Sequence, residues 1–226
     1  MARILYIEDD QTLSYVTKDN LEKHGYEVVH FRSGTEALAI IEKCEFELAL
    51  LDIMLPRMSG FEIASMIRAH SVEVPILFLS AKSMKEDRLH GFMMGADDYI
   101  VKPFSIEELI FKINVFLKRS KISTSGKHLV FHFGQSRYDH QNLILLCGNE
   151  EKTLTQREGE LLRLLLLEQN KLCERAHILR TIWGENDYFM GRSLDVFISR
   201  LRKYLSSDPN VNIENIHGVG FKLLVN

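Results

Sequence analysis

The sequence predicts a doubly wound α/β domain over residues 1–120, flavodoxin-like with a five-stranded parallel sheet, followed by a winged helix-turn-helix domain over residues 128–226. Three observations carry that prediction. Through residue 120, short runs rich in Ile, Leu, Val and Phe alternate with helical patterns, the order that calls for parallel strands and right-handed crossovers. A small, polar stretch from Ser120 to Lys127 then interrupts the alternation, and residues 121–127 read as a flexible linker. Beyond it, short strand patterns precede three helical segments and a hairpin turned by Gly218-Val219-Gly220.

In the first half, strands are predicted over residues 3–7, 27–31, 46–51, 75–79 and 98–101, and helices over 13–24, 35–43, 60–69, 85–94 and 106–119. In the last of these, Leu109, Ile113 and Phe116 recur at helical spacing. In the second half, strand patterns cover 128–133, 136–139, 143–146 and 151–154. Thr155-Gln156-Arg157-Glu158 is a capping box opening a leucine-rich helix, with Thr155 as N-cap and Glu158 three residues on. Helices over 175–183 and 192–205 and strands over 211–216 and 220–225 complete the chain.

Composition excludes several classes. The chain is 46% apolar and 26% charged with 4 Pro among 226 residues, which fits neither disordered nor collagen-like sequences. A mean hydropathy of −0.08 and the lack of any apolar run near the roughly 18 residues a membrane helix needs predict no membrane span. Cys44, Cys147 and Cys173 are widely spaced with no C-x-x-C, so a disulfide framework or zinc site is not expected, and a reducing cytoplasm is. The net charge of −3 is unevenly spread: residues 1–120 carry 14 Lys/Arg against 19 Asp/Glu, and residues 121–226 carry 14 against 12. An acidic half joined to a mildly basic one suggests two domains with different partners.

In doubly wound sheets, ligands bind beyond the carboxyl ends of the strands. Those ends carry Glu8-Asp9-Asp10, Asp52, Ser80-Ala81 and Lys102-Pro103. Carboxylates so clustered repel one another unless a cation intervenes. An oxygen-only donor set without Cys or nearby His favours Mg²⁺. An Asp carboxylate can accept a phosphoryl group, and a metal with Lys102 would offset charge on the phosphoryl oxygens.

The runs from Ile4 to Asp10 and from Leu51 to Pro56, with Gly60-Phe61-Glu62, Leu79-Ser80-Ala81 and the run from Gly95 to Phe104, resemble the receiver domain of bacterial two-component response regulators. The resemblance implies that Asp52 accepts a phosphoryl group from a partner sensor histidine kinase. It implies Mg²⁺ held by Asp9, by Glu8 through water, by Asp52 and by the backbone carbonyl of Met54. Ser80 and Tyr99 would be the switch pair, with Tyr99 turning inward on phosphorylation, and Lys102 would contact the phosphoryl group. A homodimer face follows in the same way, with cross-dimer pairs Arg88 with Glu108, Asp97 with Arg119, and Asp98 with Lys112.

Residues 128–226 resemble the OmpR/PhoB-type winged-helix effector domain, through the runs from Leu154 to Leu162, Ile182-Trp183-Gly184, Val196 to Lys203 and Ile216 to Phe221. On the expected recognition helix, Leu194, Ile198, Leu201 and Leu205 form one apolar face. Arg192, Ser193, Phe197, Ser199, Arg200 and Lys203, with His217 on the wing, are then the candidates for contact with double-stranded DNA. Arg200, away from the apolar face, is the expected reader of a guanine edge. Phe197 stands where a histidine is common in the resembling family, and His217 where an arginine often stands. Residues 184–191 read as a loop that could contact RNA polymerase. No P-loop, dinucleotide fingerprint or Ser-His-Asp signature is present, so the chain is not expected to be an enzyme. The competing enzyme reading is a Mg²⁺-dependent phosphotransferase or phosphatase working through aspartyl-phosphate. It lacks the Asp-x-Asp such chemistry would use, since Met54 stands two residues after Asp52.

Overall fold

A computed structural model describes residues 1–81, 96–122, 129–183 and 188–226, apart from the side chains of residues 81, 118–122 and 188–193. The chain divides into two compact units, Met1–Thr124 and Ser125–Asn226. The helix expected over residues 85–94 lies outside the described residues.

In the first unit, β1 (Arg3–Ile7), β2 (Glu27–Phe31), β3 (Leu48–Asp52), β4 (Ile76–Ala81) and β5 (Asp98–Lys102) form one parallel sheet in the order β2-β1-β3-β4-β5. The order reverses between β1 and β3, the switch point at which doubly wound sheets bind ligands. Around the sheet stand α1 (Gln11–Lys23), α2 (Gly34–Lys43), α3 (Gly60–His70) and α4 (Ile106–Ile122). Ile4, Tyr6, Leu50, Leu77, Leu79 and Ile100 share one core with Leu21 of α1 and Leu109, Ile113 and Phe116 of α4. Each such buried side chain contributes about 1.5–3 kcal/mol by leaving water. Alternation along the strands sends Leu5, Ile7, Leu51 and Phe78 to the other face, where Phe78 meets Phe61 of α3 edge-on at 5.3 Å.

Boundaries move for local reasons. Asp10 caps α1, its Oδ1 accepting the N–H groups of Thr12 and Leu13 at 2.8 and 2.9 Å, so the helix starts two residues before the expected position. β3 extends through Asp52 because that residue pairs with Leu79. α4 continues through Lys121 and Ile122, which were expected to open the linker. No Gly or Pro stops a helix before Gly126. The remaining linker residues, 123–127, lie outside the described set.

In the second unit, β6 (Val130–Phe133), β7 (Ser136–Asp139), β8 (Ile144–Cys147) and β9 (Glu150–Thr153) form an antiparallel meander. There follow α5 (Gln156–Leu167), β10 (Cys173–Glu174), α6 (Arg175–Trp183), α7 (Tyr188–Tyr204), β11 (Val211–Ile216) and β12 (Gly220–Val225). The sheet β10-β12-β11 is the wing, turned at Gly218 with φ +74°. β10 was missed in the sequence because two residues carry no periodicity. It can pair only because position 220 is glycine: a Cβ there would lie 2.1 Å from the Cys173 carbonyl oxygen. α7 starts at Tyr188, so the expected loop over 184–191 is helical from residue 188 onward. Gly191 costs only about 1 kcal/mol inside a helix and does not stop it.

Asp208, just after α7, ties that helix to the meander. Its Oδ2 accepts from Gln135 N–H at 2.7 Å and Ser136 Oγ–H at 2.6 Å, and its Oδ1 from Asn210 N–H at 3.0 Å. Burial opposes ionisation, but these donors outweigh it and hold the carboxyl below the usual range. A lowered folded pKa means stability that is present above the unfolded pKa and lost as pH falls through the folded one. Asp208→Ala should therefore lower the unfolding free energy of this unit by about 2 kcal/mol at pH 7. Urea titrations at pH 7 and pH 3 check this, and the difference between parent and variant should shrink at the lower pH.

Candidate functional site

The carboxyl ends of β1 and β3 lie side by side, with Ile7 level with Leu51, so Glu8 and Asp52 emerge together. Glu8, Asp9 and Asp52 each offer a carboxylate oxygen, and these oxygens lie within 4.8 Å of one another. Glu8 and Asp52 are buried and Asp9 is exposed. Lys102, at the end of β5, places Nζ 2.6 Å from Glu8 Oε2 and 2.6 Å from Asp52 Oδ2. Burial alone would lower the Lys102 ammonium, but hydrogen bonds to Asp52 and Glu8 raise it, so it stays charged. Burial pushes Glu8 up to about 7, against the pull of Lys102 and with Asp52 adding to the rise. Such a pocket carries more negative charge than one ammonium neutralises. Its oxygen donors fit a hard divalent cation such as Mg²⁺.

The backbone frames the pocket. Asp52 Oδ1 accepts the Met54 N–H at 3.0 Å, which leaves Oδ2 for Lys102. Met54 itself is 60% exposed, so the side chain stands clear of the core. His30 Nε2–H donates to the Glu8 carbonyl at 2.9 Å and steadies the end of β1. Ser80, one residue beyond the partner of Asp52 on β4, is buried. Gly60, the first residue of α3, is the position that sequence reasoning passed over as a site element. A Cβ there would lie 2.2 Å from the Asp52 carbonyl oxygen, so α3 can begin against the acid only with glycine at this place. The signal was a glycine at the first position of a helix whose cap, Ser59, already supplies the start.

Within the one chain, Tyr99 is buried, its ring 5.3 Å from that of Phe78. Asp98 and Lys112, expected to pair across a dimer, close within one chain at 3.1 Å, both buried, and join β5 to α4. Asp97, expected to meet Arg119, is buried and accepts from Arg68 at 2.6 Å and from Ile76 N–H at 2.9 Å. Both carboxylates stand at the start of β5, inside the fold, and each has a hydrogen-bonding partner in its own chain. Arg88 and the side chain of Arg119 lie outside the described residues, and Glu108 is exposed on α4.

In the second unit, Leu194, Ile198, Leu201 and Leu205 are buried as expected. Phe197 is buried with them, its ring 5.6 Å from that of Trp183, so it is a core residue and not a DNA contact. The signal was present, since Phe197 follows Leu194 by three and precedes Leu201 by four. Arg200, expected to stand clear on the helix, is held by Glu158 at 3.1 Å, with 22% of its side chain exposed. Ser199 and Lys203 are exposed on α7, and His217 is exposed at the wing turn. Arg192 and Ser193 fall in α7, with side chains outside the described set. At the wing turn, Arg175 makes a two-pronged pair with Asp195 of α7 at 2.7 and 3.0 Å, while its backbone N–H donates to the Val219 carbonyl at 3.0 Å. This residue thus couples the wing to the recognition helix.

An acid pocket at the switch point of one unit and a winged helix in the other meet two family matches. Residues 4–114 match the response regulator receiver domain, and residues 149–223 match the C-terminal domain of transcriptional regulatory proteins. The chain is an OmpR/PhoB-type response regulator. This response regulator is 41% identical over 222 residues to the transcriptional regulatory protein RprY of Bacteroides fragilis, covering 98% of this chain and 94% of that one. It is 34% identical over 230 residues to the transcriptional regulatory protein SrrA of Staphylococcus aureus, covering 98% and 95%. Among solved structures, DrrB of Thermotoga maritima, an OmpR/PhoB homologue, aligns over 99% of both chains at 31% identity and a TM-score of 0.52. Among the described residues, no helix is long and apolar enough to cross a membrane.

Proposed function

We propose that this response regulator is switched by transfer of a phosphoryl group from a sensor histidine kinase to Asp52. The phosphorylated protein then pairs through its receiver and binds repeated half-sites in double-stranded DNA to control transcription in the cytoplasm. One observation carries the reading: Asp52 sits at the sheet's switch point with Glu8, Asp9 and Lys102 converging on it. In the transfer, an Asp52 carboxylate oxygen forms the bond to phosphorus as the phosphorus–nitrogen bond of the kinase phosphohistidine breaks, and the electron pair leaves with the imidazole. Glu8, Asp9, Asp52 and the Met54 carbonyl would hold Mg²⁺, which when bound supplies positive charge against the phosphoryl oxygens. Lys102, charged and already within 2.6 Å of Asp52, donates to one of those oxygens, and the Ser80 hydroxyl to another.

For DNA, Lys203 and Ser199 offer contacts to phosphates, and Arg192 and Ser193, earlier on the same helix, are proposed to join them. Arg200 reads a base edge. His217, exposed at the wing turn, is the contact proposed there. Residues 184–191 are the proposed contact for RNA polymerase. Receiver pairing rests on Glu108 with Arg88 and on the exposed surface of α4, where Phe111 stands 69% exposed. Sedimentation after treatment with acetyl phosphate and Mg²⁺ should show a dimer. Glu108→Arg should reduce it, and adding Arg88→Glu should restore it. A monomer under all conditions at DNA-binding concentrations would end this part of the reading.

A further inference from the structure

We propose that Glu158 is a positioning residue for DNA recognition, holding the Arg200 guanidinium in the orientation in which it meets a base edge. The proposal rests on the reading of Arg200 as the base-contacting residue. Glu158 is buried, and its two oxygens face different elements. Oε2 accepts the Thr155 N–H at 3.0 Å, the bond that opens α5. Oε1 accepts from Arg200 Nη1 at 3.1 Å and from the Tyr204 hydroxyl at 3.2 Å. Arg200 and Tyr204 are one turn apart on α7, so a single carboxylate oxygen grips two successive turns of the recognition helix. Burial and the Glu158 charge push Tyr204 up to about 12, so its hydroxyl remains a donor. The other side of the Arg200 guanidinium faces the Phe197 ring at 5.9 Å.

An arginine contact to guanine needs the planar fork aligned with two acceptors, so orientation governs discrimination more than charge does. An arginine held before binding also loses less rotamer freedom on binding. Glu158 lies too deep to touch DNA, and whatever it does for recognition passes through Arg200. The capping box does not need a carboxylate for its own sake, since glutamine serves in that position. A charged group at 158 is therefore better explained by Arg200 than by the start of α5.

The test uses the full chain treated with acetyl phosphate. One probe is a duplex selected by that protein from a randomised pool, and the other is a scrambled duplex of equal length. Arg200→Ala should reduce the preference for the selected duplex by about tenfold, the discrimination of one bidentate contact. Glu158→Gln should reduce it to a similar degree while changing scrambled-duplex affinity less than twofold, and the double variant should be no worse than Arg200→Ala alone. An unchanged preference in Arg200→Ala overturns the base-reading assignment itself. A loss in Arg200→Ala but not in Glu158→Gln overturns the positioning role and leaves base reading standing. Equal weakening on both duplexes by Glu158→Gln shows a structural role only and also overturns it. Should Glu158→Gln fail to fold, Glu158→Asp keeps a carboxylate in the first turn of α5 and draws it back by one methylene from Arg200. A loss of preference then supports the proposal, and an unchanged preference overturns it.

Discussion

An Asp52→Asn variant should take up no phosphoryl group from acetyl phosphate under conditions in which the parent chain is labelled. The substitution removes the attacking carboxylate oxygen and keeps a side-chain carbonyl that can still accept the Met54 N–H, so the local fold should survive. Asp9→Ala should suppress labelling by at least about 100-fold for a different reason. It removes one of three grouped oxygens and with it several kcal/mol of charge stabilisation from a bound divalent cation. Mass spectrometry of the intact chain, or radiolabel from a phosphorylated kinase, measures both. Undiminished labelling of Asp52→Asn would place the acceptor elsewhere.

Phe197→Ala should lower the stability of the DNA-binding unit by about 3–5 kcal/mol, the cost of emptying a buried aromatic site. The ring is fully buried, packs on Trp183 and backs the Arg200 guanidinium. Trp183 is the chain's only tryptophan, so its fluorescence during urea unfolding reports this unit selectively. A phenyl ring releases no counterions, so the salt dependence of DNA binding should keep its slope. Phe197→His should also destabilise, by about 1–3 kcal/mol, because it places ring nitrogens where no water reaches. Full stability of Phe197→Ala combined with weaker DNA binding at an unchanged salt slope would return Phe197 to the DNA surface.

The acid pocket was legible because its residues announce themselves locally. Glu8, Asp52 and Lys102 each follow an apolar strand run, and the doubly wound order brings strand ends to one edge. The winged helix was legible through the Thr155–Glu158 box, the apolar stripe of α7 and the glycine-turned hairpin. The two-residue strand β10 was not, since its existence depends on β12 and on the missing Cβ of Gly220.

Sequence by itself determined the element order, both domain types and the identity of the clustered carboxylates, because strand and helix periods and helix caps are properties of neighbouring residues. Only the tertiary structure decided which partner each charge takes. Asp98 closes on Lys112, Asp97 on Arg68 and Arg200 on Glu158, pairs separated by 14, 29 and 42 residues. A charged side chain can reach several opposite charges, and the choice among them falls to whichever one the packed core brings within hydrogen-bond distance and away from water.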